Sequence, residues 1–284
     1  MKVAVRGVDL FFDVDGVKVS PDGPWMRNRP TVILLHTGPG ADHSLYKEHI
    51  GPALTDIAQV VYLDLRGAGR SDWSSPEHWT IDTWVDDLEA FCETLEVERP
   101  VLLGTSTGGV VALVHAARYP DRVERLVLVS TVARYVHSRS IAEFDRIAGP
   151  EAGEVAARYF AAPTEAHLAE FLRVCMPHFT RKPISPDTVA RMEMNTALIT
   201  HWDRTGARNF DVREEAAEIR CPTLVLAGDD DPSTTISGVD ELVEALPAGL
   251  VRYEHFADTG HGVFRDRPEA VELVRTFLAP PEPA

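Results

Sequence analysis

Ser106 lies in Val101-Leu102-Leu103-Gly104-Thr105-Ser106-Thr107-Gly108-Gly109, an apolar run that ends in Gly-x-Ser-x-Gly and passes at once into the helix-competent stretch 110–118. That pattern is strand, sharp turn, helix, with a serine at the apex. Such a turn strains the serine backbone and lifts its hydroxyl clear of the sheet edge, where it can attack a carbonyl carbon. Gly104 and Gly108 stand where strand and helix pack too closely for a Cβ. The Thr107 N–H opens the helix, where it can stabilise a developing oxyanion. A serine needs a base, and the base needs an orienting acid. Two later apolar runs end in those residue types. Residues 221–228 lead into Asp229-Asp230-Asp231-Pro232, and 251–256 are followed by Asp258-Thr259-Gly260-His261-Gly262. The chain order is Ser, Asp, His. His261 sits between glycines on a loop, and an imidazole there can accept the serine proton and return it to a leaving group. Of the 11 histidines, His43 and His49 miss the spacing of a zinc-binding helix by one residue and are expected to be structural or surface groups.

The elements that must position these residues follow from periodicity. Residues 8–19 alternate and read as an N-terminal β-hairpin turning at Asp15-Gly16. Residues 31–36, 59–64 and 123–130 are strand patterns. Residues 80–95 carry helical periodicity with Thr80 or Asp82 as a cap, and helices are expected near 237–246 and 267–278. Alternating strands and helices imply a mostly parallel sheet covered on both faces. Its strand carboxyl ends are where ligands bind. Residues 133–211 break the alternation with amphipathic helical stretches at 140–147, 164–174 and 186–200 and no strand pattern. The tail 279–284, rich in proline, is expected to be disordered.

Composition sets bounds. At 284 residues the chain holds one large α/β domain with an insertion. Apolar residues make up 44% and charged residues 25%, which is a globular composition. A net charge of −16 argues against nucleic acid or an anionic membrane surface as partner. No signal-peptide pattern opens the chain and no apolar run is long enough to span a membrane. Three dispersed cysteines make neither a zinc pattern nor a disulfide framework, so a cytoplasmic location is expected.

Four motifs in order carry a family resemblance. They are His36-Thr37-Gly38-Pro39-Gly40, Asp64-Leu65-Arg66-Gly67-Ala68-Gly69-Arg70-Ser71, the serine turn, and Gly260-His261-Gly262-Val263-Phe264. The chain resembles the α/β-hydrolases, nearest the branch of proline iminopeptidases and related esterases. The resemblance implies the α/β-hydrolase fold, a mostly parallel eight-stranded sheet with flanking helices. Residues 1–132 and 212–284 would form the core, and 133–211 an inserted helical cap. It implies Ser106 as nucleophile and His261 as base. Because the family pattern is a glycine, two variable residues and then the aspartate, the resemblance implies Asp231, three after Gly228, as the acid, with Asp230 as the alternative. The N–H groups of Gly38 and Thr107 would form the oxyanion hole. His36 would hold the loop, and Arg66 would fasten the loop that carries the oxyanion donor. No cofactor and no metal are implied.

The sequence also departs from that branch. The commoner motif has glycine where Thr37 stands, and Thr107 replaces a larger, often aromatic residue. A Trp-x-x-Trp-Glu string of the peptidase cap is represented only by His201-Trp202-Asp203, and Glu193 is the cap carboxylate available to read an amino terminus. The resulting expectation is a serine hydrolase of a small ester, lactone or amide, with acyl-homoserine lactones as one substrate class by analogy. The alternatives are a proline iminopeptidase, a haloperoxidase-like or C–C bond hydrolase without cofactor, and a small-molecule receptor of the same fold.

Overall fold

Ten strands and eleven α-helices lie along residues 1–279, the part of the chain that the computed structural model describes. The expectation for the proline-rich tail falls on residues 280–284, outside the described residues. The strands are β1 (Lys2–Val5), β2 (Val8–Asp15), β3 (Val19–Asp22), β4 (Trp25–Asn28), β5 (Thr31–Leu35), β6 (Gln59–Leu63), β7 (Val101–Thr105), β8 (Arg125–Val129), β9 (Thr223–Gly228) and β10 (Val251–Phe256). The helices are α1 (Ile81–Thr94), α2 (Thr107–Arg118), α3 (His137–Ala148), α4 (Pro150–Ala161), α5 (Glu165–Val174), α6 (Pro186–Arg191), α7 (Thr196–Arg204), α8 (Arg213–Ala217), α9 (Ile236–Ala245), α10 (Val263–Asp266) and α11 (Ala270–Leu278).

Eight strands form one sheet in the order β1-β2-β6-β5-β7-β8-β9-β10, and β3 pairs with β4 separately. The pairs β1/β2 and β2/β6 are antiparallel, and every other pair in the large sheet is parallel. β5 and β9 are buried at every residue, as a parallel strand covered on both faces requires. Alternate residues of β5 serve the two faces. Ile33 and Leu35 join the layer of Trp84, Phe91 and Val111, while Val32 and Leu34 join that of Tyr62, Leu103 and Val274. The chain leaves β5 to one side for β6 and returns to its other side for β7. The switch point of the sheet therefore lies between β5 and β7, where Leu35 pairs with Gly104.

The helices α3 to α7 lie between β8 and β9 and carry a third apolar cluster around Phe144, Tyr159, Leu168 and Phe171. The two ends of this insertion meet. Val212 N donates to Ala133 O at 2.8 Å, Tyr135 N to Phe210 O at 3.4 Å, and Arg134 bridges Asp211 in antiparallel fashion.

Several expected elements differ. The N-terminal hairpin is β1/β2, and its turn is Arg6-Gly7, both at positive φ. Gly16 is also at positive φ, but a Cβ there would sit 2.3 Å from Ala58 O, so this glycine serves a close approach rather than a hairpin turn. The helical stretch expected at 186–200 is two helices. Asn195 breaks it: its N–H donates to Gly40 O, its side-chain amide to Gly67 O, and its side-chain oxygen caps α7 at Leu198 N. α4 was not expected, and α11 begins at Ala270, after the short α10.

Candidate active site

The turn after β7 holds Ser106 at φ 56° and ψ −122°, a conformation that L-residues rarely adopt. Hydrogen bonds on both sides fix it. Ser106 N donates to Val129 O at 2.9 Å, and its carbonyl accepts from Gly109 N at 2.9 Å and Val110 N at 3.1 Å. The close packing expected of the flanking glycines is present. A Cβ on Gly108 would lie 2.1 Å from Leu35 O, and one on Gly104 would lie 2.3 Å from Gly108 O. Strain of this kind costs about 1–3 kcal/mol and persists only where the surroundings enforce it.

His261 approaches from the loop after β10. Its Nδ1–H donates to Asp231 Oδ2 at 2.7 Å. Both ends of its peptide are held: His261 N donates to Phe179 O at 2.6 Å, and His261 O accepts from Ser130 Oγ at 2.9 Å. The Phe179 ring meets the imidazole edge-on at 5.5 Å. Asp231 is buried and fully occupied. Besides His261 it accepts from Ser233 N at 2.8 Å, Thr234 N at 2.9 Å and Thr234 Oγ1 at 2.6 Å. Burial pushes this carboxyl up, but the charge and hydrogen bonds of His261, with those of Thr234, outweigh it and leave the pKa below the ordinary carboxylate value. Asp230 pairs instead with Arg146 and Arg181, and Asp229 with His255, so neither reaches the imidazole.

Ser106, His261 and Gly38 line one cavity of about 260 Å³. Gly38 sits at φ 62°, which turns its N–H in the loop after β5. Neither the Gly38 N–H nor the Thr107 N–H donates to a protein acceptor among the described residues. In this arrangement His261 Nε2 lies 3.4 Å from Thr37 Oγ1, and Ser106 Oγ makes no hydrogen bond to it. His36 holds the loop as expected, since Nε2 accepts from Leu65 N at 3.1 Å and Nδ1–H donates to Thr37 O at 3.2 Å. Burial lowers its pKa, and the two bonds need the neutral ring. Arg66 does a different job from the one expected. Its guanidinium bonds Asp87 of α1 at 2.6 and 2.7 Å, which ties the 64–71 loop to a helix rather than to the 36–40 loop. His43 is buried against Asp64 at 2.7 Å. Among the described residues no cluster of three or more His, Cys, Asp or Glu could hold a metal.

The inserted helices line the rest of the cavity with Tyr159, Phe160, Leu168, Phe171 and Met176. Asp42 is the only carboxylate among the lining residues. It is spent on Ser44, Arg70 at 2.8 Å and the Glu193 N–H at 3.0 Å. Glu193 itself is exposed and faces Arg70 at 3.7 Å, outside the cavity. Asp203 stands behind the lining, where Tyr159 and Arg208 both donate to it. Sequence reasoning missed Thr234, although an aspartate followed by Pro-Ser-Thr is a turn in which the carboxylate caps later N–H groups. Phe179, Ser130 and Arg208 carry no local signal.

The family model described as alpha/beta hydrolase fold matches residues 30–268, and the chain belongs to that family. A proline iminopeptidase of Lactobacillus delbrueckii subsp. lactis is 28% identical over 272 residues, covering 88% of this chain and 90% of that protein. The crystal structure of VinJ superposes with a TM-score of 0.77 at 25% identity, covering 98% of this chain and 97% of that one. The enol-lactonase from Burkholderia xenovorans LB400 superposes with a TM-score of 0.68 at 26% identity, covering 98% of this chain and 99% of that one. No helix among the described residues is long and apolar enough to cross a membrane.

Proposed function

We propose that this α/β-hydrolase is a serine hydrolase of small esters and lactones with an apolar acyl group. Ser106 is its nucleophile, His261 its base and Asp231 the group that orients the base. His261 Nε2 takes the Ser106 proton as Oγ bonds to the carbonyl carbon, and the N–H groups of Gly38 and Thr107 hold the resulting oxyanion. The C–O bond to the leaving group then breaks, and His261 gives that oxygen its proton. Water repeats the cycle on the acyl-enzyme, with His261 again as base, and releases the acid. The short hydroxyl–imidazole bond this needs is often absent without substrate and forms as the complex closes. The inserted helices act as a cap that keeps water from the reacting centre.

One observation carries the choice of substrate class. The cavity into which the serine and histidine face has no carboxylate free to bind an ammonium group, because Asp42 and Asp203 are both spent on arginines. A prolyl peptidase would need one. The test compares p-nitrophenyl acetate and butyrate, an acyl-homoserine lactone and prolyl-p-nitroanilide, with Ser106→Ala as control. Ester or lactone turnover that vanishes in the variant is the expected result. Turnover of prolyl-p-nitroanilide alone would restore the peptidase reading, and turnover of none would favour a receptor.

A further inference from the structure

Arg208 is a cation set into the apolar roof of the cavity. It lines the space beside Tyr135, Tyr159 and Phe160, and its guanidinium carbon lies 5.3 Å over the Tyr135 ring. Its Nε donates to the buried Asp203 carboxylate, which also accepts from the Tyr159 hydroxyl. The two terminal nitrogens make no hydrogen bond to the protein among the described residues, and they are not among the atoms sealed from solvent without a partner. Arg208 lines the cavity, and these nitrogens are the donors it has left to offer a ligand there. The other arginine of the lining, Arg265, is more completely held: one terminal nitrogen donates to Glu48 at 3.0 Å, its Nε is sealed from solvent, and its side chain is 7% exposed. A guanidinium with donors free inside an apolar space is a built acceptor site, since a donor left unmatched when ligand displaces water is costly.

Charge decides which acceptor. Arg208 is already neutralised by Asp203, so a carboxylate on its free side would bury a second negative charge against one cation. A neutral carbonyl oxygen satisfies the same N–H groups without that cost. Resting on the reading of this cavity as the substrate site, we propose that Arg208 is a specificity determinant that binds a second carbonyl oxygen of the substrate, apart from the one that is attacked. The substrate class is then an ester or lactone that carries a ketone or amide away from the scissile bond.

Calorimetric binding to the Ser106→Ala protein tests this without turnover. The probes are ethyl esters from 4-oxopentanoate to 7-oxooctanoate. Each is compared with the ester that has a methylene in place of the ketone, and with the ω-carboxylate of the same length. At least one oxo ester should bind about tenfold more tightly than its methylene partner, as expected for a hydrogen bond from a charged donor. That preference should vanish with Arg208→Met and survive in part with Arg208→Lys. Because Arg208→Met strands Asp203, the paired change Arg208→Met with Asp203→Asn keeps the site neutral and should give the same loss. No oxo preference at any length, tighter binding of the ω-carboxylate, or a preference that survives both Met variants overturns the proposal. Turnover of p-nitrophenyl butyrate by the unmodified protein reports separately on the hydrolase reading.

Discussion

Backbone holds the floor of the cavity, and side chains hold its roof. On the floor, Ser106, Thr107 and Gly38 sit at the ends of β7 and β5, where peptide hydrogen bonds and glycine contacts leave little freedom. In the roof, Tyr159, Phe160 and Phe171 stand on helices whose apolar cluster is separate from the two layers that cover the sheet. Such a division lets the proposed reacting groups keep their geometry while the shape and polarity of the roof vary. It also assigns different kinetic signatures to the two regions. Changes below should alter the rate for every substrate, and changes above should alter the ranking of substrates.

The largest expected effect tests the floor. Ser106→Ala should lower kcat on p-nitrophenyl butyrate by about 10⁴–10⁶-fold, with the roof-dependent binding of uncleaved ester retained. Next, Asp231→Asn should lower kcat by about 10³–10⁴-fold by leaving the imidazole in the wrong tautomer, with KM changed far less. A loss of KM instead would mean that the floor also sorts substrates. In the roof, Phe160→Ala should raise KM for butyrate relative to acetate by about tenfold and leave kcat on acetate nearly unchanged, since its lost contact area is uniform binding. A general loss of kcat would erase the distinction between the regions.

Two smaller effects probe the seam. Thr37→Gly removes the hydroxyl that lies 3.4 Å from His261 Nε2 and should shift kcat by less than about tenfold, in step with acylation rather than with binding. A burst experiment separates the two. His36 offers a pH signature. The unfolded chain takes up a proton on this residue near its ordinary value of 6.5, while folded His36 stays neutral to lower pH. Its contribution to stability is therefore whole above pH 6.5 and is lost as pH falls from there through the folded value. Denaturant unfolding between pH 7.5 and 5 should show a shallower loss of stability in His36→Asn than in the unmodified protein, and equal slopes would remove His36 as the strut of the 36–40 loop.

The floor was legible in sequence because its signals are local. A glycine-flanked serine after an apolar run states its own geometry, and a histidine or aspartate just past a strand lands on the same sheet edge. Asp231 was selected over Asp230 by its place after Gly228, and the neighbouring Ser233 and Thr234 donors hold it inward; what the sequence did not show is that Arg146 and Arg181 of the insertion take up Asp230. The roof was legible only as helical. Asn195 split a continuous amphipathic pattern because two distant carbonyls, those of Gly40 and Gly67, pair with its donors. Arg208 in the turn after α7, Asp203 on α7 and Tyr159 on α4 meet only in the fold, and no spacing announces that meeting. The hairpin was misplaced because two glycine turns competed, and the contact that claimed Gly16 comes from a loop far along the chain.

The joined ends of the insertion have an evolutionary consequence. The chain departs at Ala133 and re-enters at Val212 through a single doorway, closed by the 2.8 Å bond between them. Whatever lies beyond that doorway can be lengthened, shortened or exchanged for foreign sequence without altering where β8 ends or β9 begins. Recombination at these two positions would replace the roof in one step, provided the incoming segment also supplies the carbonyl that Phe179 offers to His261 N.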